Sequence, residues 1–186
     1  MRRKDMKSVI QTIRKFRYRL ISNMHIVSGK VIVRQPTLFC GKGKIIFKGK
    51  VCLGYYPSPF FFSGYLHIEA RSPDAVIEIC DGTYISNNCV IISEGPGIEI
   101  GQNCLIGPEV SIFDSDFHGL VDRRQPVKSA VKIGNNVFIG SRATILKGVH
   151  IGDNSTIAAG AVVTGGVPAN VVVAGNPARV IKVLND

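Results

Sequence analysis

The sequence contains no run of eighteen apolar residues, so no transmembrane helix is expected. Its first residues, MRRKDMKSVIQTIRK, lack the continuous apolar core of a secretory signal, which makes the cytoplasm the expected compartment. No CxxC pair occurs among the five cysteines. Cys89 and Cys104 fall where a repeat described below takes a small residue, so buried thiols in a reducing compartment are expected rather than disulfides or a metal centre. There are only four histidines, and the nearest two, His118 and His150, are thirty-two residues apart. The clustered ligands of a histidine metal site are therefore missing, and no metal is expected.

The net charge of +10 suggests nucleic acid until it is mapped along the 186 residues. Residues 1–19 carry eight Lys/Arg against Asp5 alone, which supplies +7 of the total. Such a concentrated basic end argues for a local anionic contact. The repeat shows no aromatic stacking platform, so nucleic acid is not an expected partner. With 45% hydrophobic residues and twenty glycines, a folded chain with many turns is expected.

What the chain does have is a rhythm of six. Ile133, Ile139, Ile145, Ile151, Ile157 and Val163 follow one another at six-residue steps, with a small residue or Val at the fifth place of each hexad. Neither a helix nor a single strand produces this period. Self-similarity of this kind marks a solenoid whose rungs bury their apolar edges by stacking, here a parallel β-helix. The rhythm also holds at Ile79, Ile85, Ile91 and at Ile100, Ile106, Ile112. The nine-residue step from Ile91 to Ile100 predicts a corner bulge around Gly95-Pro96-Gly97. A step of twenty-one from Ile112 to Ile133 predicts a coil replaced or expanded by a loop, residues 113–131. Gly101, Gly134 and Gly152, with Asn87, Asn88, Asn103, Asn135, Asn136 and Asn154, are the candidates for left-handed corner conformations. Counting does not give the handedness of the coil, and the general rule for parallel crossovers would make it right-handed.

Four units follow. In residues 1–23, Met6, Val9, Ile10, Ile13, Phe16, Leu20 and Ile21 lie at helical spacing with basic residues around the other side, which predicts one amphipathic helix. Its apolar stripe either docks on the body of the protein or lies in an anionic membrane surface; composition fits both. Residues 24–78 read as irregular first coils with an aromatic loop, Tyr55 to Phe62, whose prolines break any continuous strand. That loop caps the open core, binds a ligand or packs against a neighbouring subunit. Residues 79–168 are the regular β-helix, and 169–186 form a tail that ends it.

The hexads, the segment NNVFIGSRATILKGVHIGDNSTIAAGAVVT and the ending VPANVVVAGNPARVIK resemble the hexapeptide-repeat acyltransferases. The branch in question contains galactoside, maltose and antibiotic acetyltransferases and the O-acetyltransferases of bacterial polysaccharides. The resemblance runs from about Ile79 to Lys182. DSDFHGL, followed by a loop with Asp122-Arg123-Arg124, looks most like the saccharide O-acetyltransferases. The family implies a mainly β fold, a left-handed parallel β-helix, here with an N-terminal amphipathic α-helix. It also implies a homotrimer with active sites between subunits, and acetyl-CoA as donor.

Acetyl transfer to a hydroxyl needs a base for the acceptor proton and a donor for the oxyanion that forms. His118 stands where the hexad rhythm collapses, and in that register Asp116 takes a fifth, small-residue place. A carboxylate there breaks the local rule. The residues alone leave open that Asp114 and Asp116 only cap the loop through backbone amides. With the family motif, His118 is the expected general base, Asp116 the residue that orients its ring, and Asp114 and Asn88 contacts to the acceptor. The resemblance further assigns the coenzyme arm to Ser141, Ala159 and Thr164, with the Ser141 amide as oxyanion donor. It places Arg179 and Lys182 near the coenzyme phosphates. Phe138 stands where many relatives have Trp, and Gly165 where some carry Lys. The function implied is acetyl-CoA-dependent O-acetylation of a sugar hydroxyl on a surface polysaccharide or on a lipid- or nucleotide-linked saccharide. An antibiotic or amino-sugar N-acetyltransferase is the alternative within the fold, and a non-enzymatic structural solenoid the alternative outside it. The histidine spacing argues against a γ-type carbonic anhydrase.

Overall fold

A computed structural model describes residues 3–24, 27–119 and 121–184. Met1, Arg2 and Leu120, which fall in the expected helix and loop, lie outside the described residues.

Three inward columns hold the chain together. On face I, Phe47, Ile79, Ile100, Ile133 and Ile151 stack in register. Face II stacks Leu53, Ile85, Ile106, Ile139, Ile157 and Val173. Face III stacks Ile68, Ile91, Ile112, Ile145 and Val163. All of these side chains are buried, and burying one stabilises the fold by roughly 2 kcal/mol. Neighbouring rungs run parallel and visit the faces in the same order. The architecture is the left-handed parallel β-helix, mainly β, with one N-terminal helix. The fifth-place residues Cys89, Val110, Ala143 and Ala161 are buried beside the columns, as are Cys104, Val137 and Ser155.

Residues 27–70 belong to the same solenoid. Strand Val27–Val33 pairs with Lys44–Leu53, and Thr37–Gly41 pairs with Leu66–Ala70, so the first two coils are in register with the rest. Their irregularity lies in a bulge at Gly29/Lys30 and in the loop after Leu53. Strand Lys44–Leu53 is long enough to turn from face I into face II, which joins those faces into one sheet. At the other end Val171–Gly175 pairs antiparallel with Ala178–Val183, which closes the parallel stack.

Corners obey a finer rule than the sequence reading supplied. The residue three places after an inward aliphatic is left-handed: Asn103, Asn136 and Asn154 between faces I and II, and Asn88, Glu109 and Arg142 between faces II and III. Gly101, Gly134 and Gly152 are not left-handed. They are needed for close approach, since a Cβ on Gly101 would lie 2.5 Å from the Gly134 carbonyl oxygen, and one on Gly152 2.4 Å from the Ala169 amide nitrogen. Asn87 and Asn135 are not left-handed either; both use their side chains as hydrogen-bonding groups.

Extra length leaves the solenoid only at corners. Residues 54–65, the aromatic loop, leave between faces II and III. Residues 71–75, 94–97 and 114–130 leave one above another between faces III and I. The last of these expands a corner without adding a rung, because Glu99 pairs directly with Lys132.

Helix α1 (Arg3–Ile21) docks by its polar side, opposite to what apolar docking requires. Gln11 is 6% exposed and donates to the carbonyls of Arg34 (3.2 Å) and Phe61 (3.0 Å). Arg14 donates to the carbonyls of Phe61 (3.1 Å) and Gly64 (2.6 Å), and Tyr18 packs on Tyr65 with ring centroids 4.8 Å apart. Met6, Val9, Ile10, Ile13, Phe16, Leu20 and Ile21 remain 45–68% exposed. Docking of the apolar stripe on the body of this chain is therefore ruled out.

The aromatic loop is held by backbone contacts rather than by its rings. The buried Asn87 accepts from the Tyr55 amide (2.9 Å) and donates to the carbonyls of Tyr55 (2.8 Å), Ser58 (3.1 Å) and Pro59 (2.8 Å). Gln35, one coil away on the other side, donates to the Phe60 carbonyl (2.8 Å) and accepts from the Asn88 amide (2.9 Å). Asn87→Ala strands these loop groups, so it is expected to lower unfolding free energy by about 3 kcal/mol in urea titration, with tyrosine fluorescence showing the loop released.

Candidate active site

The sequence-derived residues sort onto two corners. Asp114, Asp116 and His118 lie between faces III and I, where the 114–130 loop leaves the fourth coil, and Thr164 lies at the same corner two coils further on. Asn88, Ser141 and Ala159 lie between faces II and III. Strands of face III separate the groups. From Asn88 to Ser93, the register partner of the Asp114 region, is five residues, or roughly 16 Å at about 3.3 Å per residue. One chain therefore does not bring His118 together with Asn88 or Ser141.

At the first corner the inward carboxylate is Asp114, not Asp116. Face III keeps its in–out alternation past the column residue, so Ala70, Ser93 and Asp114 are each buried two places after Ile68, Ile91 and Ile112. Asp114 accepts from Ser93 Oγ (2.6 Å) and from the amides of Glu94 (2.7 Å), Gly97 (3.0 Å) and Gly95 (3.3 Å). These four donors and its complete burial leave nothing for a substrate. The expectation that Asp114 binds the acceptor is corrected: it ties the 94–97 turn to the base of the 114–130 loop.

Asp116 is half-buried, and its Oδ1 pairs with Lys147 Nζ at 2.9 Å. Among the described residues it makes no hydrogen bond to His118. The expected orienting role is thus replaced by an ion pair to the next coil, which fixes the start of the loop. His118 is exposed beyond the left-handed Phe117. Phe117 is held from three sides. Its amide donates to Ser115 Oγ (2.9 Å), its ring meets Phe113 edge-on at 5.5 Å, and the Arg71 guanidinium lies 4.8 Å from its centroid. Ser115 and Lys128 form an antiparallel bridge, Ser115 Oγ donates to Glu94 Oε2 (2.7 Å), and Lys128 Nζ donates to the Glu94 carbonyl (2.9 Å). Gly119 is required beside the histidine, because a Cβ there would fall 2.0 Å from the Asp122 carbonyl oxygen.

The second corner is backbone. Ser141 and Ala159 are equivalent places in successive coils, two residues after Ile139 and Ile157. The Ser141 carbonyl accepts from the Gly160 amide (2.8 Å). Among the described residues the Ser141 amide donates to no acceptor, so it is available to an oxyanion. Arg142 bonds Glu109 across the coils (2.8 Å). Asn88 stands beside the aromatic loop at this corner, with its Oδ1 filling the space that a Cβ on Gly64 would need. Arg179 and Lys182 are exposed on the final strand, which pairs with the last strand of face II. Beside that corner, on face II, Tyr84, Leu105 and Phe138 line an apolar groove of about 520 Å³ with Arg34 and Tyr55 at one end.

Sequence reasoning did not find Lys147, Arg71 or Glu94, whose contacts with the loop, to Asp116, Phe117 and Ser115 respectively, span 20 or more residues. It also did not find a cluster on the outside of face III. There Cys40, His67 and Glu69 bring potential metal-ligating atoms within 4.8 Å of one another. Both Glu69 oxygens are held by Arg71 (2.9 and 3.1 Å), and Oε2 is also shared with His67 (3.1 Å). The Arg71 and His67 contacts hold the Glu69 carboxyl below its ordinary value against the opposing effect of burial. The cluster is thus closed by its own ion pairs. Burial pushes the Cys40 thiol up to about 11 and that of Cys89 to about 12, so neither is a ready thiolate nucleophile.

Comparison with known proteins agrees with this architecture. Residues 130–165 match the family model described as the hexapeptide repeat of succinyl-transferase. The galactoside O-acetyltransferase of Escherichia coli is 42% identical over 113 residues, 59% of this chain and 55% of that protein. A proposed lipopolysaccharide biosynthesis O-acetyl transferase of E. coli is 35% identical over 112 residues, 53% of this chain and 57% of that protein. The match thus spans little more than half the length of either relative. Among solved structures, the polysialic acid O-acetyltransferase superposes with a TM-score of 0.64 at 25% identity, over 87% of this chain and 75% of that one. The chain has the hexapeptide-repeat acyltransferase fold, with sugar O-acetyltransferases among its relatives.

Proposed function

We propose that this protein is an acetyl-CoA-dependent O-acetyltransferase acting on a sugar hydroxyl, and that it works in the cytoplasm as a homotrimer. The observation that carries the reading is the division of the candidate residues between two corners of one coil stack. An exposed imidazole stands at one corner and a free backbone amide at the other, beside an apolar groove. A copy related by threefold rotation sets the first corner of one subunit against the second corner of its neighbour, which completes a site that neither chain holds alone.

In that site His118 takes the proton from the acceptor hydroxyl as its oxygen attacks the thioester carbonyl of acetyl-CoA. The tetrahedral oxyanion accepts the Ser141 N–H. Collapse breaks the carbon–sulfur bond, and the leaving thiolate takes the proton back from the imidazolium, giving the sugar ester and free coenzyme A thiol. No protein nucleophile is acylated. The raised thiols of Cys40 and Cys89 accord with that route. Ala159 and Thr164 line the path of the pantetheine arm, and Arg179 and Lys182 pair with the coenzyme phosphates. Asn88 hydrogen-bonds the acceptor. His118 is aimed by the Phe117 packing and the Asp114 and Asp116 anchors rather than by a direct carboxylate contact. The acceptor is the hydroxyl of a surface polysaccharide repeat or of its lipid- or nucleotide-linked precursor, in keeping with the polysaccharide and galactoside enzymes among the relatives.

Thiol release from acetyl-CoA, measured across sugars, nucleotide sugars and antibiotics, is expected with a saccharide; release with antibiotics alone, or with nothing, contradicts the reading. His118→Ala is expected to lower kcat roughly 10²–10⁴-fold with little change in coenzyme A affinity by calorimetry. Ser141→Pro removes the amide hydrogen together with the side-chain hydroxyl, and Ser141→Ala, which loses the hydroxyl but keeps the amide, is the control expected to stay active. Pro108 at the equivalent place one coil earlier shows that the corner takes proline. The proline variant is expected to lower kcat roughly 10²–10³-fold with the melting temperature kept.

A further inference from the structure

We propose that the N-terminal end of the solenoid is a docking surface for an anionic phospholipid bilayer, formed jointly by the apolar stripe of α1, the aromatic loop and a belt of cations. Three independent observations meet there.

The first is the direction of α1. Its polar side is spent on the body through Gln11, Arg14 and Tyr18, so the stripe from Met6 through Ile13 to Leu20 faces outward along the whole helix. Lys15 is half-buried, while Lys7, Arg17 and Arg19 are exposed around the helix. An amphipathic helix with a free apolar face and flanking cations is built to lie in the plane of a bilayer interface.

The second is the aromatic loop. Tyr55, Tyr56, Phe60 and Phe62 are exposed, and the loop that carries them is hydrogen-bonded to α1 by Gln11 and Arg14. Lys7 Nζ lies 5.9 Å from the centre of the Phe62 ring. Exposed tyrosines and phenylalanines beside the helix supply the amphipathic rings favoured at the membrane–water boundary.

The third is charge. Residues 1–68 contain fourteen Lys/Arg and one acid, Asp5, whereas residues 69–186 contain nine Lys/Arg and twelve acids. Coils stack in chain order, so among the described side chains this sequence asymmetry is an asymmetry along the solenoid axis: +11 over residues 6–68 and −2 over residues 69–184. Lys30, Arg34, Lys42, Lys44, Lys48 and Lys50 are exposed at that end, and of these Lys48 is paired, with Glu78. Such a field selects an anionic surface. Threefold rotation about a shared axis would point three such ends the same way and multiply the attachment. Docking does not depend on the reaction proposed above. Only the consequence for the acceptor, a saccharide carried on the membrane, rests on that reading.

The test is co-sedimentation of the full chain with vesicles of phosphatidylcholine alone or mixed with phosphatidylglycerol, at low and high salt. Binding is expected to the mixed vesicles and to weaken with salt. Arg17→Gln/Arg19→Gln is expected to reduce partitioning about tenfold or more, and Ile13→Asp/Leu20→Asp to abolish it with the melting temperature kept. Equal binding to neutral vesicles, or none to either, overturns the proposal. So does an Ile13→Asp/Leu20→Asp chain that still binds vesicles but loses oligomeric mass in light scattering, which would make the stripe a contact between copies. Thiol release with a soluble saccharide, followed in the same samples, separates the two readings. Release without vesicle binding sinks the docking alone, and vesicle binding without release sinks only the transferase.

Discussion

Stacking of like on like in three inward columns is the constraint on which the rest of the molecule depends. Each coil must return an aliphatic side chain to the position directly above its predecessor, as Ile79, Ile100, Ile133 and Ile151 do on face I. A residue gained or lost within a face would turn the column side chain outward and unpair the rung. Length can therefore change only at corners. The aromatic loop, the 94–97 turn and the 114–130 loop all leave there, and the candidate site residues lie at corners as well.

That confinement explains the shape of the candidate site. A face is flat and lined by backbone pairing, and it offers few groups that can move or titrate. A corner offers a free amide beside a left-handed residue, as at Ser141 before Arg142, or an inserted loop that carries a histidine. The two kinds of corner lie on opposite sides of face III, so one chain keeps His118 and the Ser141 amide apart, and the proposed trimer is what would bring them together. Asp114 links the constraint to the site. It occupies a column-side position, where apolar packing would be the rule, and accepts three backbone amides and a hydroxyl that hold the histidine loop to the solenoid.

The sequence made the coil legible because a six-residue period survives in every regular rung, and it marked His118 because the period stops there. It was less legible wherever a local rule has two solutions. The spacing of Asp116 placed a carboxylate inward on the assumption that the chain turns after Phe113. The in–out alternation instead continues past the strand's end at Phe113, so the inward residue is Asp114, while Asp116 meets Lys147 from the following coil. The amphipathic pattern of α1 gave the helix but not its direction. Carbonyls of the aromatic loop at Phe61 and Gly64 need donors, and Gln11 and Arg14 supply them, which turns the polar side inward. Contacts such as Arg71 with Phe117, or Cys40 with His67 and Glu69, join residues from different coils and leave no trace in any local pattern. Corner glycines were misread for a related reason: Gly101 and Gly152 are set by the nearness of the next coil, not by their own backbone angles.

The central claim is that each site is made by two corners from different subunits. Subunit mixing tests it most directly: His118→Ala and Ser141→Pro chains, each nearly inactive alone, are unfolded and refolded together. Random trimers would then contain intact sites that pair a functional His118 from one chain with a functional Ser141 amide from the other, and about a quarter of wild-type activity should return. Activity no greater than the sum of the two separate variants, in trimers shown by mass to be mixed, would contradict a shared site.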